Sequence, residues 1–311
     1  MRPFSFFAVV AFVALFTTAD SSVIKTEYGS IEGKVNGSVH EFLGVPFASP
    51  PIGDLRWKAP VAPLGWVDTL KAVSFKDRCI QKDFGASDDT AAKVIGSEDC
   101  LYLNVWTPSV DSVANLPVMV FIHGGGNQQG SASDSGLGTA IYHGKNLSQR
   151  GNVVVVTIQY RLGVMGFLVH KGLEGGDGRA LSGNYGVLDQ IMALKWVKKN
   201  IRQFGGDTAR IMVFGESAGG LNTGNLMISP AAKGLFSRAC IESAIPQVAN
   251  YDSALVKSKS FVDSLLPGVP NEEQIGILRT MSADSIVKME KDNVVGGVIQ
   301  GNWKPVVDGA I

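Results

Sequence analysis

The sequence has no excess of charge of either sign. In 311 residues Lys and Arg number 28 and Asp and Glu number 28, so the formal net charge is zero. Holding a polyanion by long-range attraction needs a basic field, so nucleic acid and anionic membrane surfaces are not expected partners. Cysteine is scarce, with three residues at 79, 100 and 240, and no His/Cys group has metal-ligand spacing. No metal site is therefore expected, and nothing in the sequence requires a cofactor. Beyond the N-terminus no apolar run is long enough to cross a bilayer without charges or turn residues, which argues against a membrane span in the mature chain. Histidine is rare as well: His40, His123, His143 and His170 are the only four.

The composition that is present, 45% hydrophobic and 18% charged, suits a globular fold with a sizeable core, and the length allows one large domain or two small ones. Residues 1–19 read as an export signal. Arg2 supplies charge, Phe4 to Phe16 is apolar except for Ser5, and Thr17-Thr18-Ala19 offers a small-x-small cleavage site, so a mature start near Asp20 is expected. An uncleaved anchor is the alternative, and the run is short for the ~20 residues of a span. The expected location is secreted or extracellular, or periplasmic in a bacterium. In such a compartment Cys79 and Cys100, 21 positions apart, are able to close a loop, whereas Cys240 lies in the apolar run Arg238-Ala239-Cys240-Ile241 and reads as a buried free thiol. Asn36 and Asn146 open glycosylation triplets, which are common by chance.

The mature N-terminus predicts a hairpin, Val23 to Tyr28 and Ile31 to Val35, turning at Gly29-Ser30. A turn-rich stretch follows from Gly44 to Pro60, then a short strand from Tyr102 to Trp106. After Pro117 the pattern changes to long apolar runs: Val118 to Ile122 and Val153 to Ile158 are continuous and β-branched, Ile211 to Phe214 is a third, and Ala239 to Ile241 a candidate fourth. Runs of this kind form strands buried on both faces. Leu188, Ile191, Leu194 and Val197 recur at three-residue spacing, which predicts a helix capped by Asn184 and ended near Gly205-Gly206. Alternating strands and helices imply an α/β fold with a mainly parallel sheet covered on both faces. From about Pro267 the chain reads as helices and loops, amphipathic around Glu272 to Met281.

The segment with the clearest chemistry is Gly215-Glu216-Ser217-Ala218-Gly219-Gly220, which follows one buried strand and opens a helix-compatible run, Leu221 to Ile228, stopped by Ser229-Pro230. A serine at a strand-to-helix corner is presented clear of the sheet at free helix N–H groups, and glycines two residues either side allow close backbone approach. In a chain with 37 glycines the bare pattern is weak; its position between strand and helix makes Ser217 the candidate nucleophile. Acyl transfer also needs donors for a tetrahedral oxyanion. His123-Gly124-Gly125-Gly126, directly after Val118 to Ile122, supplies bare backbone amides, with the N–H of Ala218 as the remaining donor. No histidine follows Ser217, so none of the four is a good general base; His123 reads as a brace for the glycine loop and the others as surface or packing residues.

At these residues the chain resembles the type-B carboxylesterase/cholinesterase family. The resemblance rests on FLGVPFASPPIGDLRWKAP at 42–60, EDCLYLNVWTP at 98–108, HGGG at 123–126, SGNYGVLDQ at 182–190 and FGGDTARIMVFGESAG at 204–219. It implies an α/β-hydrolase fold over 20–311 and hydrolysis of small carboxylic esters through an acyl-enzyme on Ser217. It also implies an oxyanion hole of Gly125, Gly126 and Ala218, nearby polar roles for Glu216 and Ser243, and a Cys79–Cys100 disulfide. Members of the family are much longer, so the triad acid and histidine are expected beyond residue 311, with the C-terminal part of the fold missing and little activity in this chain alone. Residues 80–99 contain no tryptophan, so the resemblance favours uncharged esters over choline esters. The alternatives are a catalytically silent cholinesterase-like adhesion module, against which the retained Ser217 and glycine loop argue, and a peptidase or lipase on the same fold.

Overall fold

The computed structural model describes residues 21–83, 93–136, 139–176, 181–290, 294–295, 298–299, 303–309 and 311. The expected export signal at 1–19 lies outside them.

The chain opens with three antiparallel strands, β1 (Ser21–Thr26), β2 (Gly29–Asn36) and β3 (Val39–Pro46). The first turn falls at Glu27-Tyr28, not at Gly29-Ser30, which belong to β2. Thr26 explains the shift: its hydroxyl accepts from the Tyr28 N–H at 3.2 Å and donates to the Gly29 carbonyl at 2.8 Å, closing the turn one step early. Gly29, at φ 145°, then lies against Trp66, where a Cβ would sit 2.5 Å from the indole. The turn-rich reading from Gly44 onward also missed that β3 runs through to Pro46. A register shift between Phe42 and Val45 lets the strand pass Gly44 and still pair with β4 (Tyr102–Thr107).

From β4 the sheet continues through β6 (Val154–Ile158), β5 (Leu116–Ile122), β7 (Gly206–Glu216) and β8 (Arg238–Glu242). The order is β1-β2-β3-β4-β6-β5-β7-β8, with the short Leu70–Lys71 strand beside β2. The sheet is mixed: pairs from β1 to β6 are antiparallel, while β6/β5, β5/β7 and β7/β8 are parallel. The continuous apolar runs sit in the parallel half, and every residue of β6 is buried. Among the described residues β8 is the last strand of the sheet and is only half-buried, so Cys240 is partly exposed, its Sγ 3.8 Å from Glu242 Oε1, and not the buried thiol expected.

The helices are α1 (Lys145–Gly151), α2 (Gly163–Phe167), α3 (Tyr185–Asn200), α4 (Ala218–Ile228), α5 (Tyr251–Leu265), α6 (Asn271–Thr280) and α7 (Ala283–Lys288). Among the described residues none is long and apolar enough to cross a membrane. α3 begins where expected and passes through a 3-10 turn to Gly205 at φ 76°. Asn184 does not cap it through its side chain. It sits at φ 60°, and its amide accepts from Val306 N at 2.8 Å and donates to Val306 O at 2.9 Å and to Asp308, fastening the tail to the start of α3. Helix α5 was not foreseen; it starts at Asn250, whose side chain accepts from Ser253 N. Behind the sheet Arg161 and Asp189 form a buried bidentate pair at 2.7 and 2.8 Å, and Asp189 also accepts from the Arg161 N–H.

Candidate active site

Ser217 stands at the bend between β7 and α4 with φ 55° and ψ −120°, a conformation an L-residue with a Cβ rarely adopts. The bend is held from the next strand, where the Ser217 N–H donates to the Glu242 carbonyl at 2.9 Å. Its glycines are required by closeness to backbone. A Cβ on Gly215 would lie 2.5 Å from Gly219 backbone, and one on Gly219 would lie 2.0 Å from the Ile122 carbonyl oxygen. Helix α4 therefore rests directly on the end of β5, with Ser217 exposed at its N-terminus.

The glycine loop leaves that same end of β5 and folds against the serine. A Cβ built on Gly124 would lie 3.3 Å from Ser217 Cβ and 2.8 Å from the Glu216 carbonyl oxygen. Gly125 and Gly126 take φ 101° and 66°, and the Gly125 carbonyl accepts from Gln128 N and Gln129 N, closing a tight turn. Among the described residues no backbone carbonyl engages the N–H groups of Gly125, Gly126 or Ala218. Unpaired backbone donors are uncommon in folded proteins unless water or a ligand meets them.

His123 braces this loop. Fully buried, it stacks on Tyr160 at a centroid distance of 4.5 Å, and its Nδ1 lies 2.9 Å from the Gly124 carbonyl. The acceptor places the proton on Nδ1, leaving Nε2 without a partner among the described residues. Burial lowers its pKa to about 4, the Gly124 carbonyl opposes the shift, and the charge of Arg78 adds to it, so the ring is neutral at neutral pH. His40 bonds Ser22, His143 faces Glu41, and His170 is buried against Gln274. None of these three is set up to serve Ser217.

Glu216 and Ser243 occupy different places. Glu216 is exposed and lines a cleft of about 310 Å³ together with Gly124, Gly125, Arg78, Gln81, Asp134 and Tyr142. Arg78 pairs with Asp134 at 3.2 Å, while burial and the nearby Asp134 and Glu216 raise the Tyr142 phenol. Ser243, at φ 54° and exposed, adjoins the site through the backbone, as the residue after Glu242. Cys79 and Cys100 are joined. Two positions past Cys79, Gln81 donates to Gly130 O at 2.9 Å and accepts from Gly130 N at 2.8 Å, tying the disulfide-linked segment to the far end of the glycine loop.

Gln81, Asn127, Tyr160 and Asn222 are the residues that sequence reasoning missed. Each is a buried polar side chain inside an otherwise unremarkable stretch, and only the fold reveals their partners. Asn127 and Gln81 stood within or beside segments already noted, which was the one available signal.

A model of the carboxylesterase family matches residues 20–311. Para-nitrobenzyl esterase of Bacillus subtilis (strain 168) is 41% identical over 279 residues, which are 88% of this chain and 54% of that protein. Fumonisin B1 esterase of Sphingopyxis macrogoltabida is 40% identical over 91% of this chain and 49% of its own length, and a Homo sapiens cocaine esterase is 37% identical over 92% and 52%. The chain thus spans about half the length of the curated relatives it matches. A solved PNB esterase structure superposes with a TM-score of 0.78 at 39% identity, covering 92% of this chain and 57% of that one.

Proposed function

Because the chain belongs to the carboxylesterase family, we propose that it carries the nucleophile and oxyanion half of a serine ester hydrolase active site. The observation that carries this reading is the approach of the glycine loop to the strained serine, with a Gly124 Cβ position 3.3 Å from Ser217 Cβ. That contact, with the N–H groups of Gly125, Gly126 and Ala218 engaged by no backbone carbonyl among the described residues, supports reading those three as the donors to the oxygen of an ester carbonyl attacked by Ser217 Oγ. Oγ attacks the ester carbon, the carbonyl electron pair moves to oxygen against those donors, and the serine proton passes to a general base. Collapse expels the alcohol, which takes that proton, and water then releases the acid from the acyl-serine. Each of the four histidines is engaged elsewhere, His40 with Ser22, His143 with Glu41, His170 with Gln274 and His123 with the Gly124 carbonyl. We therefore assign the base and its acid partner to the length of the relatives that this chain does not span. The substrate class is uncharged carboxylic esters, since residues 80–99 hold no tryptophan for a quaternary ammonium group.

The test is covalent labelling of the whole protein with a fluorophosphonate, followed by peptide mapping. Label on Ser217, absent from Ser217→Ala along with turnover of a p-nitrophenyl ester, is the expected result. Label elsewhere, or unchanged turnover in the variant, rejects the assignment; an unreactive serine would instead fit a silent adhesion module.

A further inference from the structure

We propose that Asn127 and Asn222 are a pair of positioning residues that set the separation between the two sources of oxyanion donors. The inference rests on reading Ser217 as the nucleophile. Those donors belong to different elements: Gly125 and Gly126 to the loop after β5, Ala218 to the start of α4. Pairing of Gly215 with Ile122 fixes the roots of both, but the loop tip extends several residues past that register and needs its own tether.

Asn127 follows Gly126 directly, and Asn222 lies one turn along α4 from Ala218. The Asn222 amide donates to Asn127 Oδ1 at 2.8 Å, with the reverse contact, Asn127 Nδ2 to Asn222 Oδ1, at 3.5 Å. Both side chains are buried, at 2% and 0% exposure. Asn127 is held from two further directions. Its carbonyl accepts from Gly163 N at 2.7 Å, and its Oδ1 accepts from Tyr160 Oη at 3.3 Å, the same hydroxyl that donates to the His123 carbonyl at 2.9 Å. Asn127 sits at φ 60°, where asparagine is among the few side chains tolerated, and its side chain meets Asn222 on α4. A buried polar pair costs stability unless both partners are matched, and here the match is made across the gap that catalysis must hold constant.

A tether that sets donor placement acts on the transition state more than on the bound ester. In the whole protein, Asn222→Ala, Asn127→Gly (which keeps the left-handed backbone) and the double variant would be compared at fluorophosphonate-titrated site concentrations. Each single variant should lose roughly 10- to 100-fold in kcat on a p-nitrophenyl ester, the scale expected for a misplacement of up to about 1 Å, with KM within about twofold. Inhibition by an aryl trifluoromethyl ketone, whose serine adduct carries the oxyanion, should weaken by the same factor as kcat/KM, and the double variant should lose no more than the worse single. Titrated sites that turn over at the unmutated rate, with only thermal stability reduced, would show a purely structural pair and overturn the proposal. So would losses that multiply in the double variant. If the unmutated protein takes no label at Ser217, the nucleophile assignment has failed and the proposal falls with it, a result separate from either of these.

Discussion

Gly219→Ala separates the structure from the sequence in sign. By propensity alone, alanine in place of a helical glycine stabilises by about 1 kcal/mol. In the structure the new Cβ would sit 2.0 Å from the Ile122 carbonyl oxygen, 2.8 Å from its carbon and 2.9 Å from the His123 carbonyl oxygen. All three are backbone atoms of β5 and its extension, so no side chain can swing aside. Non-bonded contacts settle at ~3.5–4.0 Å, so α4 must retreat from the sheet by an ångström or more. Overpacking of this kind costs about 1–3 kcal/mol, and with no flexible neighbour the upper part of that range applies, leaving a net loss of about 1–2 kcal/mol after the propensity gain. Gly276, exposed on α6 with nothing within 4 Å of a Cβ, is the matched control; Gly276→Ala should gain about 1 kcal/mol. Urea unfolding of the three proteins at neutral pH measures both changes. A Gly219→Ala protein as stable as Gly276→Ala would refute the claim that α4 is seated on bare backbone.

The buried imidazole makes stability depend on pH. With its pKa lowered to about 4 in the fold against about 6.5 unfolded, His123 contributes stability that is complete above pH ~6.5 and is lost as pH falls toward 4, about 3 kcal/mol in all; His123→Asn should flatten that part of the urea-measured pH profile, and an identical profile would contradict the burial argument. Removing the Cys79–Cys100 link, which closes a 21-residue separation, should cost about 3 kcal/mol, seen as a lower Tm for the double Cys→Ala variant or under reductant. Asp189→Ala strands the Arg161 guanidinium, 4% exposed, and should cost about 3–5 kcal/mol by chemical denaturation; a loss below 1 kcal/mol would mean water reaches the arginine.

The sequence disclosed the parallel half of the sheet because its strands carry continuous apolar runs, although only β6 is buried at every position while β5 and β7 keep half-buried ones. It disclosed Ser217 and the glycine loop because both need glycine for steric reasons that leave a mark in the letters. The disulfide followed from the resemblance and is present. What stayed hidden depended on contacts between distant segments. The first turn was misplaced because Thr26, not the glycine, closes it. Asn184 looks like a cap in a local window but holds the tail across 122 positions, and the end of β3 hid in the proline-rich stretch that begins at Pro46. The Asn127–Asn222 bridge joins residues 95 apart and has no periodicity to announce it. Cys240 read as buried from its neighbours, whereas burial on β8 depends on what lies beyond the sheet edge.

The hydrogen bond from the Ser217 amide to the Glu242 carbonyl couples the dynamics of Ser217 to the neighbouring strand, β8. Exchange of that one amide with heavy water should follow the opening of β8 and not that of α4, because its acceptor lies on the strand although the residue stands at the head of the helix.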